Sequence, residues 1–458
     1  MLDRLIGSLL FALTALVIAS EWSGMPGFGN AGAFLAAVIL ALMTTQVRWS
    51  RRIFVAIGLI LATAVAATRS GALDQIDTAL QKAAFIAAFF TALTTLRHTA
   101  DTSDAIRKTG RFLAQQPPGR RYAALTGGGP LFGLFLSYGG IALLGSLALT
   151  SAREEPNQEI RGHRIRRMLL AIQRGFTATL PWSPLAFAMA ISTALIPGAT
   201  WAGAVLPCLG SAVILISLGW AMDTIFKPRL SAPSPPRGKP VGTWALMLPL
   251  LGLLAILVIS VSTLHILTGV RAVGVVIVVV PIIALIWLLI QSPTGKLASL
   301  AARTVTYMSR DIPAYRGELV LLMMAGVIGT LGAVLLVPVM QASGLDLTAV
   351  PGPVILIALV WIIPLAGQFG ANPILAVSLL APILPPAAAM GLTPSDLIVA
   401  ITAGWALSGA SSPYTASTLL IASFGGLPAR RVGMIWNGPY VLVAGTALSL
   451  WSVLVAAV

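Results

Sequence analysis

The sequence predicts an all-α polytopic membrane protein of about eleven transmembrane helices plus two re-entrant helical hairpins in inverted repeats. Three observations carry that prediction. Of 458 residues, 57% are hydrophobic and only 9% charged, with a mean hydropathy of +0.92, and the apolar runs reach membrane-spanning length. Basic residues collect in six short segments between those runs. A paired interruption of the apolar pattern occurs twice: SYGG at Ser137 to Gly140 followed by PWSP at Pro181 to Pro184, then GANP at Gly370 to Pro373 followed by ASSP at Ala410 to Pro413.

The net charge of +15 would suggest a nucleic-acid partner in a soluble chain. Here Lys and Arg sit between apolar runs, so the charge reads first as topology, with membrane lipids as a partner and no nucleic acid. The single Cys208 excludes an intrachain disulfide and a cysteine metal site. His98, His163 and His265 lie apart, which leaves no transition-metal ligand set and no cofactor.

Taken in order, Leu5 to Ser20 lacks a strongly basic leader and reads as a retained first helix. Residues 1–30 form an extra amino-terminal helix with its external loop. The first repeat, 31–225, contains spans Ile53 to Ala67 and Ala83 to Leu96 between basic segments Arg48 to Arg52 and Arg97 to Arg121. Tyr122 to Thr150, about 29 residues between basic loops, is too short for two crossings of about 20 residues each. It is therefore expected to form a hairpin, 122–150, that enters from the cytoplasm and returns there. After Arg153 to Arg174, Gly175 to Ile196 crosses outward and Ala202 to Met222 returns. Residues 226–242, rich in Pro and basic side chains, read as a cytoplasmic linker.

The second repeat, 243–458, crosses at Trp244 to Leu264, Val273 to Ile290 and Leu319 to Met340. A hairpin at 353–385 then enters from outside, and Asp396 to Phe424 and Val432 to Val455 complete the path. Lys296 to Arg316 and Arg430 to Arg431 complete the basic segments. The amino terminus is expected in the cytoplasm and the carboxyl terminus in the periplasm of a bacterial inner membrane. The halves match as Ser183-Pro184 with Ser412-Pro413, Gly175 with Gly404, Ser137 with Gly370 and Gly140 with Pro373.

A helix broken inside the bilayer leaves unpaired N–H and C=O groups that cost several kcal/mol each unless something satisfies them. Half-helix amino ends suit an oxyanion, and carbonyl and hydroxyl oxygens suit Na⁺. The oxygens near the breaks belong to Ser137, Thr177, Thr179 and Ser183, and to Asn372, Ser408, Ser411, Ser412, Thr415 and Ser417. Gly139, Gly140, Gly370 and Gly409 let backbone approach closely. Asp223, Glu318 and Asp396 fall near span ends, so no carboxylate is expected at either break, and Glu318 reads as half of a cytoplasmic-edge pair with Arg316.

This pattern resembles the ion transporter superfamily. Within it the topology is most similar to the divalent anion/sodium symporters, and more distantly to the membrane subunit of tripartite periplasmic transporters and to the citrate and arsenite permeases. The resemblance runs over roughly residues 31 to 458. It implies a homodimer and an elevator-type movement of hairpins and broken helices against a frame. In the symporters each hairpin tip carries Ser-Asn-Thr, whereas the tips here read Ser137-Tyr138-Gly139-Gly140 and Gly370-Ala371-Asn372-Pro373.

Carried over on those positions, the resemblance and the break chemistry assign substrate to Asn372, Ser183, Ser412, Thr415 and Gly140. Sodium, as coupling ion, is assigned to Ser137, Gly139, Thr179, Gly370, Asn372 and Ser411. The expected function is sodium-coupled symport of a small organic anion. Alternatives are a proton-coupled carrier or exporter, a membrane subunit served by a periplasmic binding protein, and, remotely, a membrane-embedded enzyme. Against the last, GWALSG places Ala406 where an intramembrane serine protease has its GxSG pattern.

Overall fold

A computed structural model describes residues 2–228, 230, 242–291, 302–342 and 347–458. The expected Pro-rich linker falls mostly outside the described residues, as does Asp346. Among the described residues nine helices are long and apolar enough to cross a membrane. Two broken helices add the remaining crossings. Gln158–Thr177 continues after a break as Phe187–Leu195, and Pro394–Ser411 continues as Ala416–Gly425.

The frame is built around Ala72–Asp101, which packs against Leu2–Ser23, Pro26–Thr44, Ala272–Gln291 and Arg316–Ala342. Its buried face is rich in small side chains, Ala83, Ala84, Ala87, Ala88 and Ala92. Small residues let neighbouring backbones approach where lipid gives no hydrophobic drive to associate. Phe89 and Phe90 project from the same helix onto Phe187, the first residue of the second segment of the first broken helix, at ring separations of 5.6 and 5.8 Å. Trp49–Thr68 and Trp244–Thr268 bury least and form the periphery.

Both hairpins form. Pro118–Leu136 and Tyr138–Arg153 meet at Ser137, and Gly352–Gln368 and Pro373–Leu380 meet across Phe369 to Asn372. Ser137 turns the chain with φ 51° and ψ −130° and is the one non-glycine residue with positive φ among the described residues. Gly140 explains how tightly that hairpin closes: a Cβ there would lie 2.7 Å from the Phe132 carbonyl oxygen of the opposite arm.

Several basic segments read as loops are helical. Arg97 and His98 belong to the last turns of Ala72–Asp101, and an amphipathic helix, Asp104–Ala114, follows with Ile106, Phe112 and Leu113 buried. The first broken helix starts at Gln158, not near Gly175, because Asn157 caps it by accepting from the N–H groups of Glu159 and Ile160. Two of its arginines find polar partners, Arg167 in Asp223 at 2.5 Å and Arg164 in the Ser151 hydroxyl at 2.8 Å. Arg316 is paired with Asp3 at 3.2 Å and with Gln46, not with Glu318. His98 meets Asp311 at 2.7 Å.

Candidate functional site

Each hairpin is clasped by its own broken helix through the same set of contacts. Gly175 sits where a Cβ would fall 3.0 Å from the Leu125 carbonyl oxygen and 3.1 Å from that of Thr126. Gly404 sits against the carbonyls of Leu359 and Val360, at 2.7 and 3.0 Å. One turn on, the Thr179 hydroxyl lies over Gly133 at 3.1 Å and the Ser408 hydroxyl over Gly367 at 2.6 Å, both measured to a Cβ built on the glycine. The broken helices therefore correspond at an offset of 229 residues and the hairpin arms at an offset of 234, which also pairs Pro130 with Pro364. On that register Ser137 matches Ala371, one residue beyond the Gly370 expected from sequence.

The breaks repeat as well. The N–H of Ser183 donates to the Thr179 carbonyl at 3.2 Å, and that of Ser412 to the Ser408 carbonyl at 2.9 Å. Each serine hydroxyl then accepts from the N–H two residues on, Leu185 at 3.2 Å and Tyr414 at 3.3 Å. Ser412 also donates to the Gly367 carbonyl at 2.6 Å, tying the second break to its hairpin. Thr179 reaches Pro130 at 3.3 Å in the first half. Gly370, with φ 89°, lies beneath the Tyr414 ring.

Most of the expected oxygens are thus engaged within the protein. Asn372 caps Pro373–Leu380 by accepting from the Ile374 N–H at 3.0 Å, Thr415 donates to the Ser412 carbonyl at 2.9 Å, and Ser417 donates to the Gly409 carbonyl at 2.6 Å. Ser411 donates to the Leu407 carbonyl at 2.8 Å and accepts from the Gln368 amide at 3.3 Å. Two buried atoms at the second clasp have no partner: the Ser408 hydroxyl and Oε1 of Gln368. Unsatisfied polar atoms in a membrane core are costly, and these two flank Gly367. The amino ends of Phe187–Leu195 and Ala416–Gly425 carry no side-chain cap.

The first tip differs from expectation. A Cβ on Gly139 would lie 3.3 Å from Arg97 Nε and 3.4 Å from Asp101 Oδ1. A carboxylate therefore does lie against one hairpin tip, because Ala72–Asp101 runs on past the end of its apolar core. The Arg97 guanidinium also stands 5.0 Å from the Tyr315 ring. Burial pushes the Tyr315 phenol above its ordinary range, with Arg97 pulling it back.

Sequence reasoning missed a buried network that joins the two halves. Gln173 donates to the carbonyls of Gly409 and Ala410, both at 3.3 Å, and to Thr418 at 3.0 Å, so it closes the carbonyl end of the second broken helix. Asn437 donates to Gln173 at 2.9 Å and accepts from Arg174 at 3.1 Å. Arg174 donates also to the Tyr122 hydroxyl at 2.9 Å and lies 4.1 Å from the centre of the Tyr440 ring. Only the ending of a basic run just before an apolar break hinted at Gln173 and Arg174.

Fold and clasps together define a multi-pass, all-α membrane protein with two inverted pairs of re-entrant hairpin and broken helix. No protein-family model matches the chain, and no curated protein matches it. Among solved structures it is similar to the Alcanivorax borkumensis YdaH transporter, at 16% identity and a TM-score of 0.57 over 88% of this chain and 98% of that one. It is also similar to MtrF of Neisseria gonorrhoeae, from a class described as antimetabolite efflux pumps, at 14% identity and 0.55 over 90% and 96%. At these identities the likeness is one of fold. The resemblance to the divalent anion/sodium symporters is not among these findings.

Proposed function

We propose that the chain is a secondary active transporter that couples sodium to movement of a small organic anion, with the hairpins and broken helices shifting as a unit against the frame. The observation that carries the reading is the repeated clasp, which leaves Ser408 and Gln368 with unpartnered buried oxygens at the second hairpin. Hydroxyl and amide oxygens of that kind suit Na⁺. The sodium locus comprises Gln368, Ser408 and Ser411, with Asn372 and Gly370 at the tip. In the first half Thr179 occupies the position of Ser408, with Ser137 and Gly139 at the first tip. The anion docks between the uncapped amino ends beyond Ser183 and Ser412, near Thr415. Gly140, where the first hairpin closes on Phe132, stays with the substrate positions. The fold shared with two transporters supports the reading.

In proteoliposomes an inward sodium gradient should drive uptake of an anion found by screening, and Ser408→Ala with Gln368→Ala should abolish the sodium stimulation. Uptake indifferent to sodium in the unsubstituted protein would sink the coupling assignment. Asp101 against Gly139 favours a second reading, proton coupling with export. The same vesicles with a pH gradient and no sodium measure it, and Asp101→Asn should then remove the response.

A further inference from the structure

On the side assigned as outer by loop charge, a cavity of about 240 Å³ lies between the frame and the hairpin-bearing elements. Its frame wall carries Glu21, Lys82, Phe85 and Arg271, and its other wall carries Ala194, from the outer half of the first broken helix, and Ser378, from the second hairpin. The cavity is separate from the clasps at Gly367 and Gly133.

Not every charged side chain around it is paired. Arg271 is neutralised by Glu21 at 2.5 Å and lies 5.3 Å from the centre of the Phe85 ring. The nearby carboxylate of Asp77 is engaged by the Gln81 amide at 2.6 Å. Lys82, half-buried where the polar start of Ala72–Asp101 gives way to its apolar run, has no ion pair or hydrogen bond among the described residues. An ionised side chain that faces a cavity at the edge of a span without a partner is open to a ligand of opposite charge. Independently, the Ser378 hydroxyl is unpartnered although the residue is only 1% exposed. One unpaired ammonium, one buried hydroxyl free to donate and walls of Phe and aliphatic side chains select one chemistry.

We infer that this outer cavity binds a small amphipathic monoanion whose carboxylate pairs with Lys82 and accepts from Ser378, and whose apolar body lies against Phe85 and Ala194.

Benzoate serves as probe and benzamide as its uncharged counterpart, titrated calorimetrically into the purified full chain in potassium medium without sodium. Benzoate should bind and benzamide should not. Lys82→Met should weaken benzoate at least about tenfold and Lys82→Arg should keep it within about threefold, because the requirement is for a cation opposite the carboxylate. Ala194→Trp, which fills the space and leaves the charge, should abolish binding. Binding by Lys82→Met equal to the unsubstituted protein would mean that Lys82 merely extends to solvent, and it would overturn the assignment. So would equal binding of benzamide, full binding by Ala194→Trp, or no benzoate binding at all. None of those results bears on sodium-driven uptake, so the two readings fail separately.

Discussion

Single residues decide how closely hairpin and broken helix approach. At Gly175 and Gly404 a side chain would run into backbone carbonyls, which cannot rotate away. Gly175→Val and Gly404→Val should therefore each destabilise the fold by about 1–3 kcal/mol, with the larger loss at Gly404 where the gap is tighter; thermal unfolding of the purified variants measures this. Ser408 predicts the opposite. Its hydroxyl makes no internal bond, so Ser408→Ala should leave stability within about 1 kcal/mol or raise it, while sodium dependence falls. A loss comparable to that of the glycine variants would mark Ser408 as structural.

Elements were legible in the sequence wherever backbone chemistry announced them. Ser137 to Gly140, Pro181 to Pro184, Gly370 to Pro373 and Ala410 to Pro413 concentrate Gly, Pro and Ser inside apolar runs, and each became a break. Charge proved a poorer guide to helix ends. Gln158–Thr177 and the last turns of Ala72–Asp101 continue through residues read as loops, since Arg side chains can reach polar partners at the membrane edge while their backbone stays helical. That extension is why Asp101 beside Gly139 was not foreseen. The network of Gln173, Arg174 and Asn437 was equally hidden, because its members lie 264 positions apart at the extreme and none forms a motif. Gln173→Leu should cost at least about 2 kcal/mol, since it removes a donor from the Gly409 and Ala410 carbonyls and the acceptor of the Asn437 amide. At the first tip, Ser137→Gly should be neutral or stabilising by up to about 1 kcal/mol and Ser137→Val destabilising, because positive φ favours glycine.

At the scale of the whole molecule, the nine long helices among the described residues and the two broken ones reproduce the crossings expected from composition. Which side each end faces rests on loop charge alone. With Cys208 replaced by serine, Ser23→Cys should react with an impermeant maleimide added outside intact cells and Ser50→Cys only after permeabilisation; the reverse pattern would invert the topology. The repeated register, an offset of 229 positions for the broken helices and 234 for the hairpin arms, then describes one structural unit used twice. The halves nevertheless differ where ligands would bind: the second leaves Gln368 and Ser408 with open oxygens, and the first rests on Arg97 and Asp101. That asymmetry favours one principal cation site over two equal ones.

The central claim is that this second clasp holds sodium. The most direct test is the unfolding temperature of the purified protein titrated with NaCl against KCl at constant ionic strength. Specific sodium binding predicts a rise that saturates with NaCl, is absent with KCl and disappears in Ser408→Ala with Gln368→Ala. Identical curves for the two salts, or a sodium response unchanged in that double variant, would contradict it.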